Sequence, residues 1–156
     1  MQKAFGERCA ASRSIAGFSQ EIAAELLHVS LRSLSDYERG VTLPSSEVIV
    51  GMMDFYNDPM LGYEFLRLNS VGYRLLPEIK SRQLSASILS LQVEMSHATA
   101  VQSDMAEVGC DDQVGDEERN RWQKSLEEIR HLTAATFSVL LSPIQKEKSP
   151  VLAHRR

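Results

Sequence analysis

The sequence is poor in cysteine and has no long apolar run, and each of these scarcities argues against a class of protein. Its two cysteines, Cys9 and Cys110, form no CxxC pair, which argues against a disulfide framework or a zinc site. Aromatic residues make up only 6% of the chain, and no apolar run approaches the length of a membrane-spanning helix. The N-terminus also lacks the apolar region of a signal peptide. These features predict a cytoplasmic protein with no membrane span.

Catalytic and metal-binding patterns are also missing. The sequence shows no Ser-His-Asp arrangement, no glycine-rich phosphate loop and no paired carboxylates in a plausible cleft. The histidines His28, His97, His131 and His154 show no ligand spacing. We therefore predict no enzymatic activity, no cofactor and no metal.

An excess of basic charge is absent as well. The formal net charge is −4, and residues 1–79 carry seven basic side chains against ten acidic ones. Affinity for duplex DNA comes largely from neutralising phosphates, so DNA-binding domains usually present a basic patch. Any DNA contact must then rely on a local basic rim or on the pairing of two copies.

Residues 13–44 contain the most regular pattern, two short helices joined by a tight turn. Ser19 and Ser30 stand where N-caps are expected, and His28-Val29 interrupts the helical pattern between them. Gly40 follows the second helix, where a C-cap favours a left-handed residue. The spacing of the two caps is that of a bihelical DNA-binding unit.

At these residues the chain resembles the phage-repressor and Cro-type (XRE-type) helix-turn-helix family of transcriptional regulators. The resemblance covers about residues 5–57. The matching positions are Gly17, Phe18, Ser19, Gln20, Glu21, Ala24, Glu25, Leu27, Val29, Ser30, Leu34, Ser35, Tyr37, Glu38, Gly40 and Pro44. The family implies an all-α domain that places the second helix of the unit in the major groove.

The outer face of that recognition helix is the predicted DNA-reading surface. Its side chains are Ser30, Leu31, Arg32, Ser33 and Asp36. An arginine can bind guanine through two hydrogen bonds, a leucine can meet a thymine methyl, and an aspartate can accept from a cytosine amino group. The alternative is a solvated helix face used for contacts with another protein.

Further roles concern residues around this surface. The resemblance implies that Gln20 bridges to a phosphate, and that Arg13 and Glu38 form a partly buried ion pair joining the first helix to the recognition helix. Arg39 and Thr42, just beyond the recognition helix, suit contacts with the DNA backbone. For all three predicted backbone contacts, ordinary structural roles are the alternative.

The rest of the chain predicts an all-α architecture, with a five-helix repressor-like domain over 1–70 and a long antiparallel helical hairpin beyond it. Residues 70–76 are predicted to connect the two. One hairpin helix runs from Pro77 to about Val108, and Asp116 caps the second, which ends near Leu141. Residues 142–156 form a tail predicted to be disordered.

Apolar residues recur along both hairpin helices in a pattern typical of packed helix pairs. The stripes are Leu84, Ile88, Leu91, Met95, Ala98 and Met105 on the first helix, and Trp122, Leu126, Ile129, Leu132 or Thr133, Thr136 or Phe137, and Leu140 on the second. They could bury only each other or extend a subunit interface. Because a two-helix hairpin has little core of its own, the second use is favoured.

The sequence therefore predicts a transcriptional regulator that binds double-stranded DNA through residues 1–70 and forms a homodimer through residues 77–141. The alternative is an adaptor-like or antitoxin-like protein-interaction module that keeps the fold without strong DNA binding. No feature identifies an effector.

Overall fold

A computed structural model of the chain describes residues 1–79 and 83–143, which fold entirely into helices and their connections. The predicted all-α class, with a helix-turn-helix followed by a helical hairpin, is confirmed. The helices of the described residues are α1 (Gln2–Ile15), α2 (Gln20–Leu26), α3 (Leu31–Glu38), α4 (Ser46–Tyr56), α5 (Met60–Arg67), α6 (Ser70–Leu75), α7 (Leu84–Ala100), α8 (Gln102–Val108) and α9 (Arg119–Leu140). No helix among these residues has the length and apolar character needed to cross a membrane.

Serine side chains set the starts of α2, α3 and α4. Ser19, Ser30 and Ser45 each adopt an extended backbone conformation and accept a hydrogen bond from the backbone N–H three residues ahead. Such a bond satisfies one of the N–H groups that the first turn of a helix leaves without a partner. The predicted caps Ser19 and Ser30 are confirmed, and Ser45 caps α4 in the same way, so the three serines fix where these helices begin.

The helices α1 to α5 enclose one apolar core. Its most deeply buried members are Cys9, Ala23, Leu34, Ile49, Met52 and Leu61. Ile15 is 87% exposed because α1 ends there, beyond the core. Near the end of α4, Tyr56 is buried and Phe55 is 42% exposed.

The first helix approaches the recognition helix at a glycine. A methyl group on Gly6 would lie 2.5 Å from the carbonyl oxygen of Tyr37 and 2.7 Å from that of Glu38. It would also lie 2.7 Å from the backbone nitrogen of Gly40. All three are backbone atoms, which cannot turn aside as a side chain can. The absence of a side chain at Gly6 therefore permits the close contact that seats α3 on α1.

Gly6→Ala should destabilise the protein, although alanine is the better helix former by about 0.5–1 kcal/mol. Overpacking against rigid neighbours costs about 1–3 kcal/mol, so the steric effect outweighs the helix propensity. Urea unfolding followed by circular dichroism measures the difference. Gly51→Ala is the matched control, because the nearest atom to its methyl group is the tip of the Leu27 side chain, at 2.8 Å. Equal or greater stability of Gly6→Ala would contradict the contact.

The predicted connector after α5 contains a short helix, α6. The side chain of Asn69 accepts a hydrogen bond from the N–H of Gly72 at 2.7 Å and so caps this helix. No helix within this connector was predicted from the sequence, because the asparagine cap was not recognised. Beyond α6, the hydroxyl of Tyr63 donates a hydrogen bond to the carbonyl oxygen of Pro77 at 2.7 Å, which ties the chain back onto α5.

The first arm of the hairpin is shorter than predicted and is divided in two. Pro77, Glu78 and Ile79 are not helical, and α7 begins only at Leu84. The arm is interrupted at Val101, which separates α7 from α8 with φ −96° and ψ 0°. The second arm starts at Arg119, and Asp116 forms an ion pair with that residue instead of capping the helix.

Serines lie between the two arms where apolar residues were predicted. Ser87, Ser125, Ala135 and Ser142 are buried. The hydroxyls of Ser87 and Ser138 are hydrogen-bonded at 3.0 Å, and the hydroxyl oxygens of Ser142 and Ser87 lie 3.1 Å apart. Small side chains let two helix backbones approach closely, and the hydroxyls satisfy one another. The antiparallel pairing of α7 with α9 is therefore narrow and partly polar.

The predicted apolar stripe of α7 lies on an open side of the hairpin. Leu84, Ile88 and Met95 are 40%, 43% and 53% exposed, so of the two predicted uses of this stripe, burial against α9 alone does not describe these residues. Met95 and Met105 join Ile129 and Leu132 of α9 along a groove of about 290 Å³. We call Leu84, Ile88, Met95, Met105, Ile129 and Leu132 the open apolar face.

The structure at the end of α9 changes where the predicted tail can begin. Ser142, assigned to that tail, is buried and donates a hydrogen bond to the carbonyl oxygen of Ser138 at 2.6 Å. The boundary at 142 thus falls within ordered structure. The remainder of the predicted tail, residues 144–156, lies outside the described residues.

Candidate nucleic-acid interface

The turn between α2 and α3 sets the direction of the recognition helix. His28 adopts a left-handed conformation with φ +53°, at a place where glycine would be unstrained. Its N–H donates to the carbonyl oxygen of Glu25 at 3.1 Å, and the N–H of Val29 donates to that of Ala24 at 3.0 Å. Both donors of the turn are therefore satisfied, and α3 begins at Leu31, after four connecting residues.

The start of α3 presents an arginine and a leucine to solvent. The hydroxyls of Ser30 and Ser33 lie 2.8 Å apart, and Ser30 also accepts from the N–H of Ser33 at 3.0 Å. Between these serines, Leu31 is 44% exposed, and the Arg32 side chain keeps 92% of its surface exposed. The first turn of α3 thus offers one apolar group and one cation to any partner that covers it.

The carboxylate of Asp36 is engaged by its neighbours on the same helix. It accepts a hydrogen bond from the guanidinium of Arg39 and lies 4.0 Å from the Nε of Arg32. Its backbone carbonyl accepts from the N–H of Val41 at 2.9 Å and of Thr42 at 3.4 Å. The predicted residues Arg32, Asp36, Arg39 and Thr42 are therefore grouped at one surface, where the arginines offset the acidic charge.

Arg13 and Glu38 lie together beneath this surface. The Nε of Arg13 donates to Oε1 of Glu38 at 2.6 Å, and Nη2 donates to Oε2 at 3.1 Å. Arg13 also donates to the carbonyl oxygen of Phe18 at 2.7 Å. The side chains are 13% and 6% exposed. This two-point contact links α1, the start of α2 and the end of α3.

Gln20 belongs to the same network. Its side-chain amide donates to Oε2 of Glu38 at 2.7 Å, so its nitrogen points toward the ion pair. The hydrogen bond with Glu38 raises the pKa of Arg13, which keeps the guanidinium charged. Burial, followed by the charge of Glu38, raises the pKa of the neighbouring Tyr56 phenol. Glu38 is therefore the group on which the three helices converge.

A second ion-pair cluster was not predicted from the sequence. Arg8 donates through Nε and Nη2 to Asp58 at 3.3 and 3.0 Å and through Nη1 to Glu64 at 3.4 Å. The hydroxyl of Ser12 donates to Asp58 at 2.6 Å. Since the partners are some fifty positions apart, no local spacing signals them. Two of the acidic groups counted against DNA binding, Asp58 and Glu64, are therefore already paired with arginine.

The comparisons with known proteins agree with this geometry in the N-terminal part. Residues 4–58, about a third of the chain, match a family model described as a helix-turn-helix domain. No curated protein and no solved structure matches the chain. Domains of this kind are typically DNA-binding modules without enzymatic activity. Residues 4–58 therefore form a helix-turn-helix domain, to which a helical hairpin is joined.

Proposed function

We propose that this protein is a cytoplasmic, sequence-specific transcriptional regulator of the XRE type that binds double-stranded DNA as a homodimer. The observation that carries the proposal is the first turn of α3, where the exposed Arg32 and Leu31 stand at the end of the helix that meets base edges in this docking mode. Arg32 would read a guanine and Leu31 a thymine methyl.

The local charge at this surface supports the proposal despite the acidic chain. Asp36 is paired with Arg39, and Glu38 lies inward on Arg13, so neither carboxylate is presented alone to a phosphate. In this arrangement Asp36 orients the two arginines, and Arg39 and Thr42 contact the DNA backbone. Ser30 and Ser33 fix the start of the helix and lie close enough to its exposed face to approach the DNA.

Gln20 would act mainly through the position of α2. Because its amide is bonded to Glu38, it holds the start of α2 against the ion pair and the end of α3. Gln20→Ala should consequently weaken binding to all duplexes alike, without altering the preference among them.

The open apolar face supports pairing of two copies. A monomeric hairpin leaves Ile88 and Met95 about half exposed, and two such hairpins laid face to face would form a four-helix bundle. Pairing would also supply two recognition helices for two half-sites, about 34 Å apart on DNA.

Arg32→Ala tests the proposed reading of bases. The wild-type chain is first screened against genomic fragments at several salt concentrations, and the preferred fragment is then compared with single-base variants. Arg32→Ala should cost about 1–3 kcal/mol on the preferred site and relax the preference at one base position. Arg119→Ala removes the same charge from an exposed hairpin residue and should leave binding unchanged.

Two outcomes would contradict this function. If no fragment binds above a random duplex even at low salt, the chain does not read DNA, and the protein-interaction alternative takes its place. If Arg32→Ala and Arg119→Ala weaken binding equally on all duplexes, Arg32 contributes only charge.

A further inference from the structure

The two long helices of the hairpin carry the same short motif, glutamate followed three positions later by histidine. On α7 it is Glu94 and His97, and on α9 it is Glu128 and His131. Residues three apart share one side of a helix. Since α7 and α9 run antiparallel at close distance, the two motifs face each other near the middle of the hairpin.

The donor atoms of the two motifs converge. Nδ1 of His97 lies 3.5 Å from Oε2 of Glu94 and 3.6 Å from Oε2 of Glu128. Nδ1 of His131 lies 3.9 Å from the same oxygen of Glu128. One donor atom from each of Glu94, Glu128 and His131 falls within 4.8 Å of the others, and His97, which approaches the two carboxylates, lies outside this three-residue group. Tetrahedral ligands bound at 2.0–2.2 Å are separated by roughly 3.3–3.6 Å, so small side-chain rotations would close the site.

The two carboxylates of this cluster are not paired with lysine or arginine among the described residues. Within residues 1–79 and 83–143, neither Glu94 nor Glu128 forms a salt bridge with lysine or arginine. Oε2 of Glu94 is shielded from solvent and accepts no hydrogen bond from a described group. An enclosed carboxylate oxygen without a hydrogen bond is costly, and a bound cation would remove that cost.

We propose that Glu94, His97, Glu128 and His131 form a binding site for a divalent transition-metal ion, with Zn²⁺ as the best match. Two imidazole nitrogens and two carboxylate oxygens compensate the charge of the ion and supply four ligands, the number zinc takes in closed sites. Imidazole donors disfavour Mg²⁺ and Ca²⁺, which prefer oxygen ligands. The ion would clamp α7 to α9. This site is separate from the DNA-reading surface and does not depend on it.

This proposal departs from the prediction of no metal, which did not consider ligands contributed by two different helices. His97 and His131 are far apart in the sequence, and neither has a second histidine within a helical turn. The signal is the repeated Glu-x-x-His motif on two helices of one hairpin, a pattern that bundle proteins use to bind metal between helices.

Zinc titration of the full chain tests the site. The exposed Cys110 is first changed to serine, so that its thiol cannot compete for the ion. After removal of metals with a chelator, Zn²⁺ is titrated against a chromophoric competitor. One equivalent should bind per chain. Glu94→Gln, His97→Gln, Glu128→Gln and His131→Gln should each lower the affinity at least tenfold, because altering groups that merely support a ligand already costs about 10–100-fold.

Glu127→Gln is the matched control, because this exposed glutamate is adjacent to Glu128 and outside the cluster. Co²⁺ in place of Zn²⁺ gives a second readout, since visible absorption bands report tetrahedral coordination, which a merely structural change would not create. Far-UV circular dichroism shows whether each variant is folded. The site is refuted if no zinc binds, or if folded Glu94→Gln and His131→Gln bind zinc as tightly as Glu127→Gln.

Discussion

Glu38→Ala should lower the free energy of unfolding by about 3–5 kcal/mol, the usual cost of removing one member of a buried ion pair. Arg13 would keep its charge, because arginine is not deprotonated in proteins, and its guanidinium, 13% exposed, would lie enclosed without a compensating carboxylate. The amide of Gln20 would lose its acceptor as well. Denaturant unfolding of the variant, followed by circular dichroism, measures the loss.

Two further variants separate the buried pair from a general effect of charge. Glu25→Ala removes an exposed glutamate of α2 and should change stability by no more than about 0.5 kcal/mol. Replacing both partners, as Arg13→Met with Glu38→Leu, should restore much of the loss since no charge is then left stranded. If Glu38→Ala costs no more than Glu25→Ala, the pair contributes little to the fold.

The helix-turn-helix could be predicted from the sequence because its determinants are local. Each cap involves two residues three positions apart, so Ser19, Ser30 and Ser45 can be recognised without knowing the fold. The periodicity that places Leu34 inward is equally local. The ion pair of Arg13 with Glu38 spans 25 positions, and only the family resemblance suggested it.

The hairpin shows what the sequence pattern leaves undetermined. An apolar stripe identifies a face that is to be covered, but it does not say which surface covers it. On α7 the stripe of Leu84, Ile88 and Met95 could be covered by α9 or by a second subunit, and in the structure Ser87 is the fully buried residue of α7. Serines carry no strong periodic signal, and their hydroxyl contacts become visible only when both helices are in place.

Parts of the candidate site could not be predicted either, because they depend on contacts between residues that are distant in the sequence or on side-chain rotamers. The exposure of Arg32 follows from its place in the helix, but the pairing of Asp36 with Arg39 and the inward turn of Gln20 depend on rotamers and neighbours. Gly6 gives no sign in the sequence of the backbone that it approaches. Such contacts decide how α3 is held, and hence how precisely its side chains could be presented to DNA.

Ile88→Glu should convert the proposed dimer into a monomer, because it would place a charge on the open apolar face. Operator affinity should then fall by about 10²–10⁴-fold, the advantage that linked binding of two modules provides. Sedimentation velocity measures the assembly, and the same DNA titration measures the affinity. Both measurements are needed. If the variant is a monomer and still binds the operator as tightly as the wild type, DNA recognition does not depend on dimerisation.

Leu89→Glu is the control that shows which side of α7 forms the subunit interface. Leu89 is adjacent to Ile88 and 63% exposed, but it lies about 100° away around α7. The same change of chemistry there should leave the dimer intact. If Leu89→Glu disrupts assembly and Ile88→Glu does not, the subunits meet on the other side of the hairpin, and the open apolar face has a different role. If the wild-type chain sediments as a monomer at micromolar concentration, the homodimer is refuted, and a single recognition helix must account for whatever DNA affinity is found.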